Sequence, residues 1–167
     1  MKQHLRIHKA EPNRGILDYS HLLDAPAGNH GFVKTMNGHL YFEDGTRARF
    51  LGFNVATRSN TPDHETADKM AERFASMGVN IIRLHAADAP VGEEPRSWSS
   101  CKEAPLLDYA GGSSRKFNPE GLDRFDYFAA KLKEKGIYLH IDLIVAREFL
   151  PGDDLDYPGG ALSCIKR

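Results

Sequence analysis

Polar and charged side chains stand at alternate positions in two segments of the chain, and a third β-prone segment ends in an asparagine. Arg83 and His85 stand two positions apart, and so do His140 and Asp142, while Asn54 ends a third segment of the same kind. Because side chains alternate between the two faces of a strand, residues two apart share a face. A buried polar group without a partner is costly. Two interpretations follow: a ligand-binding face, or an internal network in which Arg83 pairs with Asp142 and the histidines bond to the backbone.

The segments that would position these side chains alternate between the apolar periodicity of a helix and that of a strand. Apolar residues recur with helical spacing over 67–75 and again over 122–132, and a glycine, Gly78 or Gly136, follows each run. The β-prone segments 79–85 and 137–145 come next. Strand, helix, strand, helix, strand is typical of parallel βαβ units. We therefore predict an α/β fold with helices at about 62–77 and 119–135, and with Gly52, Ile82 and Leu139 on adjacent parallel strands.

Local signals mark where these elements begin. Thr61 suits the N-cap of the first helix with Pro62 at its first position, and Asn118 suits the N-cap of the second helix. Upstream, Asp44-Gly45 separates the β-prone runs 38–42 and 46–54, which predicts a hairpin with its turn at 43–45. Residues 1–30 are polar and read as a leader with little regular structure, so 31–167 is the predicted folded domain.

The connection over 86–117 is unusually long for a compact domain, and it follows the carboxyl end of a predicted strand. Loops at that end of parallel strands carry the binding sites of barrel and open α/β folds. Within it, Trp98 suits stacking on a sugar ring, or else it pins the loop to the surface. Asp88 is a candidate acceptor for a sugar hydroxyl, or else an ordinary loop residue.

The composition of the chain disfavours several classes of binding partner. The formal net charge of -1 provides no basic field for nucleic acid or for an anionic membrane. Cys101 and Cys164 are far apart and lack zinc-like spacing, which favours free thiols. No apolar run has the length of a membrane span, and the N-terminus lacks the apolar core of a signal peptide. As written, the chain is expected to be cytoplasmic.

Three segments in order resemble the leading hairpin and first strands of cellulase-like clan A (β/α)₈-barrel glycoside hydrolases: NGHLYFEDGTRARFLGFN at 37–54, GVNIIRLH at 78–85 and GIYLHID at 136–142. Segment 24–31 resembles bacterial members that act on polysaccharides. The resemblance covers roughly residues 22–160. It implies a partial TIM barrel, namely the first three strand–helix units preceded by a β-hairpin. It also implies an oligo- or polysaccharide ligand and no cofactor.

The same resemblance implies a retaining mechanism, with a proton donor and a nucleophile about 5–5.5 Å apart. In the family these glutamates end the fourth and seventh strands, and the arginine that matches Arg83 supports the nucleophile. The chain has no Asn-Glu dipeptide, and it reads His85-Ala86 where relatives read His-His. No catalytic acid or nucleophile is therefore assigned in it. The expected substrate-binding residues are Asn54, His85, Asp142, Trp98 and Asp88.

A full barrel needs about 250 residues, and the chain has 167, ending after its third predicted strand. The expectation is a fragment that is inactive alone and that can self-associate through open barrel edges. Two alternatives stay open. One is a non-catalytic carbohydrate-binding or scaffold protein. The other is a metal-dependent hydrolase using His85, His140 and Asp142, which are ligand types that zinc accepts.

Overall fold

The computed structural model describes residues 12–90 and 104–155, and its elements alternate between strands and helices. The strands are β1 Val33–Met36, β2 His39–Phe42, β3 Gly52–Ala56, β4 Ile81–His85, β5 Leu107–Asp108, β6 Lys116–Phe117 and β7 Tyr138–Ile141. The α-helices are α1 His64–Ser76 and α2 Pro119–Glu134. Short 3₁₀ helices occur at Gly15–Leu17, Ser20–Leu22, Thr57–Asn60 and Pro151–Asp153. Among the described residues, no helix is long and apolar enough to cross a membrane.

Strands β3, β4 and β7 form one sheet in that order. Tyr138 N donates to Asn80 O at 2.8 Å, and Asp142 N donates to Leu84 O at 3.5 Å. Pairing thus advances by the same four positions along both strands, which is the register of parallel neighbours. The α/β class and the parallel sheet are therefore confirmed, with Gly52, Ile82 and Leu139 on its three strands.

The chain divides into two compact units. The first comprises Met1–Phe53, Asp63–Ile82 and Phe128–Leu139, and the second comprises Asn54–Pro62, Arg83–Tyr127 and His140–Arg167. By this division, each of the three parallel strands begins in the first unit and ends in the second. The carboxyl ends of the strands, where the polar residues lie, therefore belong to the second unit.

Apolar side chains of α1, β4 and α2 form the core of the first unit. On α1 the buried positions include Ala67, Ala71 and Phe74, and the Phe74 ring meets the Phe53 ring edge-on at 4.9 Å. Ile82 and Phe128 are both fully buried, at 0% exposure. Each such side chain contributes roughly 1.5–3 kcal/mol by leaving water.

The predicted helices are confirmed within two residues, with one correction at the start of α1. Asp63, not Thr61, is its N-cap, because the Asp63 carboxylate accepts a hydrogen bond from Thr66 N at 2.8 Å. Asn118 caps α2 as predicted, since its Oδ1 accepts from Glu120 N at 3.0 Å. Gly136 follows α2 with a φ of 80°, in the left-handed region that favours glycine.

The hairpin lies earlier in the chain than the sequence predicted. Strands β1 and β2 pair antiparallel, and their turn is Asn37-Gly38, with φ angles of 51° and 75°. Positive φ at both central residues is the type I′ pattern that suits the twist of a hairpin. The chain also reverses near the predicted turn at Asp44-Gly45, where a bridge joins Tyr41 and Arg47 and Ala48 N donates to Leu40 O at 3.0 Å.

The described part of the predicted leader is bonded to the first unit. Tyr19 N donates to Ser76 O at 3.0 Å, and Ala27 N donates to Lys133 O at 2.9 Å. These bonds satisfy backbone groups near the C-terminal ends of α1 and α2, which have no partner within their own helices. The leader residues thereby supply hydrogen-bond donors to carbonyl groups at the C-terminal ends of α1 and α2.

His30 links two acidic residues in the same unit. Its Nδ1 contacts Asp44 Oδ2, and its Nε2 contacts Asp24 Oδ2. Only the imidazolium carries a proton on both nitrogens, so both contacts are favourable only when His30 is charged. Hydrogen bonds to Asp24 and Asp44 accordingly raise the pKa of His30 above its ordinary value.

We expect His30 to make stability depend on pH. Because its folded pKa is raised, its contribution is fully present below the unfolded pKa of about 6.5 and is lost as the pH rises through the folded pKa. Urea unfolding from about pH 5 to about pH 9 should show a decline in the free energy of unfolding that His30→Asn flattens. The control is His21→Asn, because His21 is exposed and bonds only the main-chain oxygen of Asp18. Equal declines in wild type and His30→Asn would contradict the assignment.

Candidate functional site

Arg83, His85 and Asp142 meet at the carboxyl ends of β4 and β7. Arg83 Nε donates to Asp142 Oδ1 at 3.0 Å, and Arg83 Nη2 donates to Oδ2 at 2.9 Å. His85 Nδ1 lies 2.7 Å from the same Oδ2. One carboxylate therefore holds a guanidinium by both its oxygens and an imidazole by one of them. We call these three residues the Asp142 cluster.

The alternation of side chains along β4 places Arg83 and His85 on the same face of the strand. Ile82 and Leu84 are both 0% exposed, so they occupy the buried face of the strand. Arg83 and His85 consequently share the other face, with side chains 39% and 32% exposed. The Asp142 side chain, just after β7, is only 10% exposed. Parity along β4 and the pairing of β4 with β7 together bring the three side chains into contact.

The contacts in the cluster fix the charge of Asp142 and the position of the ring proton on His85. Hydrogen bonds from Arg83, and then from His85, lower the pKa of Asp142 below its ordinary value, so its carboxyl is ionised at neutral pH. A ring nitrogen facing a carboxylate must be the protonated one, so Nδ1 of His85 carries the proton. In neutral His85 the Nε2 atom is then a hydrogen-bond acceptor. Guanidinium donors and an imidazole acceptor are the groups that bind a hydroxyl-rich ligand.

Two observations count against a metal centre built on this cluster. His140 Nε2 lies 3.9 Å from Asp142 Oδ1, with a side chain that is 61% exposed. The guanidinium of Arg83 already occupies both oxygens of Asp142 and would repel a cation. Within 12–90 and 104–155, no group of three or more His, Cys, Asp or Glu residues could hold a metal ion. The geometry thus gives the metal-dependent alternative no support.

Asn54 and Trp98 are two further predicted site residues. Asn54 is exposed on β3, and no hydrogen bond joins its side chain to the cluster in the described part of the chain. Trp98 lies outside the described residues. The roles predicted for both residues therefore stay predictions.

Asp88 is buried and engaged by the backbone. Its carboxylate accepts hydrogen bonds from the amides of Val145, Ala146 and Arg147, at 2.8, 3.0 and 3.1 Å. Its main-chain oxygen accepts from the hydroxyl of Tyr109 at 2.7 Å. A carboxylate with three backbone donors has little capacity left for a ligand. These bonds anchor the segment after β7, and the sugar contact predicted for Asp88 stays a prediction.

A second buried carboxylate, Asp153, was not identified from the sequence. It accepts from Ser114 N at 2.6 Å, from Ser114 Oγ at 2.8 Å and from Leu150 N at 2.7 Å. Burial alone would raise the pKa of Asp153, but these hydrogen bonds outweigh burial and hold the pKa well below its ordinary value. Arg147 Nε donates to Ser114 Oγ at 2.8 Å. The only local signal was a pair of turn-forming runs, Gly-Gly-Ser-Ser and Pro-Gly-Asp-Asp, which mark loops but not their partners.

Asn60 was also missed, and it contacts the cluster through the backbone. It is 0% exposed, and its Nδ2 donates to the main-chain oxygen of His85 at 2.9 Å. Its Oδ1 is buried and has no hydrogen-bond partner among the described residues. A buried unpaired acceptor costs about 1–3 kcal/mol. Thr57 and Ala86, which follow β3 and β4, have φ angles of 51° and 54°, a conformation that costs non-glycine residues about 1–2 kcal/mol.

No protein-family model and no curated protein matches the sequence. The structure has glycoside hydrolases among its solved neighbours. One is described as a glycoside hydrolase, with 16% identity and a TM-score of 0.48, covering 71% of this chain and 26% of its own. Another is a glycoside hydrolase family 5 protein from Bacteroides vulgatus, with 12% identity and a TM-score of 0.48, covering 71% of this chain and 25% of its own. The chain thus spans about a quarter of the length of either neighbour.

Proposed function

We propose that this chain is the carbohydrate-binding N-terminal part of a clan A-like glycoside hydrolase, containing the first three strand–helix units of a (β/α)₈ barrel. The observation that carries the proposal is the Asp142 cluster at the carboxyl ends of adjacent parallel strands. Ligands of parallel α/β folds bind at that end of the strands. The residue pattern that resembles the family, described above, supports the same assignment.

The charges of the cluster favour a neutral, hydroxyl-rich ligand. The guanidinium of Arg83 and the carboxylate of Asp142 compensate each other at contacts of 2.9–3.0 Å. The Arg83–Asp142 pair carries no net charge, so it does not attract an anion over long range. The partly exposed Arg83 can donate to hydroxyl oxygens, and His85 Nε2 can accept from a hydroxyl group. This combination suits an oligo- or polysaccharide.

Hydrolysis requires two further groups. A retaining mechanism needs a proton donor and a nucleophile about 5–5.5 Å apart. Asp142 is not suited to donate a proton at neutral pH, because its pKa is lowered by Arg83 and His85. Both of its oxygens are also bonded to those two residues, which makes it a poor nucleophile. In the proposal, Arg83 supports a nucleophile from a later strand of a longer protein, and residues 1–167 alone bind glycan without cleaving it.

The test combines binding and turnover assays on residues 1–167. Titration with β-linked gluco-, manno- and xylo-oligosaccharides should shift the side-chain NMR signals of Arg83 and His85, while aryl β-glycosides stay intact. Arg83→Lys should weaken binding about tenfold, because lysine cannot hold Asp142 by two parallel bonds. Arg124→Lys is the matched control, since Arg124 pairs with Glu120 on α2. Turnover by the chain, or equal binding by Arg83→Lys, would contradict the proposal.

We also propose that the chain self-associates through the edge of its parallel sheet. β7 is the last strand in the order β3-β4-β7, and Ile141 and Leu143 are 47% and 89% exposed. A free strand edge with apolar side chains is a template for pairing with another chain. Light scattering over increasing protein concentration should show oligomers that Leu143→Lys shifts towards the monomer. A wild-type chain that stays monomeric at every concentration would contradict this.

A further inference from the structure

The end of β4 is held by the loop that follows β3. Asn60 ends the 3₁₀ helix Thr57–Asn60, and its Nδ2 donates to the main-chain oxygen of His85 at 2.9 Å. His85 is the last residue of β4, and the chain leaves the strand direction at Ala86, whose φ is 54°. The Asn60 amide thus supplies a donor to the last carbonyl of the strand.

We propose that Asn60 is a positioning residue for the Asp142 cluster. By fixing the main chain of His85, it aims the imidazole so that Nδ1 stays at 2.7 Å from Asp142 Oδ2. That contact keeps the proton on Nδ1 and leaves Nε2 as the acceptor for a ligand hydroxyl. The inference rests on the proposed carbohydrate-binding function, and it adds a residue that contacts no ligand itself.

Three unfavourable features around Asn60 indicate that this segment serves the site more than it serves stability. Thr57 and Ala86 adopt the left-handed conformation without being glycine, one directly after β3 and the other directly after β4. The Oδ1 of Asn60 is buried without a partner among the described residues. Strained backbone and unsatisfied buried groups concentrate at functional sites. An apolar side chain would avoid the unpaired oxygen, but it would take the donor from His85.

The hydrogen bond from Asn60 to the main-chain oxygen of His85 also affects the position of the imidazole. The imidazole ring is carried on two rotatable bonds, so a small rotation of the His85 backbone moves Nδ1 by a large part of a hydrogen-bond length. Hydrogen bonds weaken steeply with misalignment. Without Asn60 the imidazole would lose its preference for the Nδ1-protonated form, although Arg83 would still hold Asp142 through two bonds.

The experiment compares the His85 imidazole in three variants of the chain. Asn60→Leu keeps the branching of the side chain at Cγ and removes both the donor and the unpaired oxygen, and Asn60→Ala removes the whole amide. The matched control is Asn80→Ala at the start of β4. The Asn80 side chain makes two bonds to the backbone, Nδ2 to Arg49 O at 2.8 Å and Oδ1 from Leu51 N at 2.7 Å. The readouts are the imidazole ¹⁵N spectrum of His85, which reports the tautomer, and the Kd for a β-linked oligosaccharide.

Both Asn60 variants should convert His85 from the Nδ1-protonated form to a mixture of tautomers and should raise the Kd about tenfold. Asn80→Ala should lower the Tm while leaving both readouts unchanged. If Asn60→Ala does not fold, Asn60→Leu decides. A wild-type His85 spectrum in the Asn60 variants, or an equal change in Asn80→Ala, overturns the proposal. A wild-type chain that binds no glycan would reject the proposed function, and the tautomer would still decide the role of Asn60.

Discussion

Asp142→Asn is expected to weaken glycan binding by at least about tenfold, the largest effect of any single change at the site. Asparagine has one carbonyl oxygen where Asp142 has two, so it cannot accept two bonds from Arg83 and one from His85 together. Its amide hydrogens would instead face an N–H donor. Arg83 would lose its fixed direction and His85 its preferred tautomer. The Kd for the oligosaccharide and the His85 ¹⁵N spectrum measure the two effects.

Asp142 should also make the stability of the chain depend on pH. Because the folded pKa of Asp142 is lowered, the contribution of Asp142 to the free energy of unfolding is fully present above the ordinary carboxyl pKa of 3.8. That contribution is lost as the pH falls through the lowered pKa. The control is Asp108→Asn, since within the described part of the chain Asp108 Oδ1 accepts a local bond from Ala110 N and none from the cluster. Unchanged glycan affinity in Asp142→Asn, or an equal loss of affinity in Asp108→Asn, would contradict the prediction.

Phe128→Ala is expected to lower the free energy of unfolding by about 3–5 kcal/mol. Phe128 lies on α2 in the core of the first unit and is 0% exposed. Its removal takes away the hydrophobic contribution of the ring and leaves a cavity that the surrounding core fills only in part. Urea unfolding monitored by circular dichroism measures the change, with the slope checked for two-state behaviour.

The matched control for this core substitution is Phe117→Ala on β6. The Phe117 side chain is 56% exposed, so the same truncation should cost less than about 1 kcal/mol. A loss for Phe128→Ala no larger than that of Phe117→Ala would mean that α2 does not pack through this ring. The predicted apolar stripe of the helix would then be wrong.

Much of the fold was predictable because its signals are local. The amphipathic repeats set the two helices within two residues, since an apolar stripe must be buried. The capping asparagine and the two stop glycines act through their own neighbours in the chain. Along β4, alternation alone placed Ile82 and Leu84 on the buried face and Arg83 and His85 on the other. The turn at Asn37-Gly38 also carries a local signal, although only the turn at 43–45 was predicted.

By itself, the sequence determined the strand and helix pattern and the face on which Arg83, His85 and Asp142 lie. Only the tertiary structure decided which polar groups satisfy one another. Asp88 bonds amides 57 to 59 residues away, and Asn60 bonds a carbonyl 25 residues away. Such bonds join loops whose separation in space is set by the packing of the intervening helices. No periodicity in the sequence encodes that separation, which is why the anchoring and positioning residues emerged only from the folded chain.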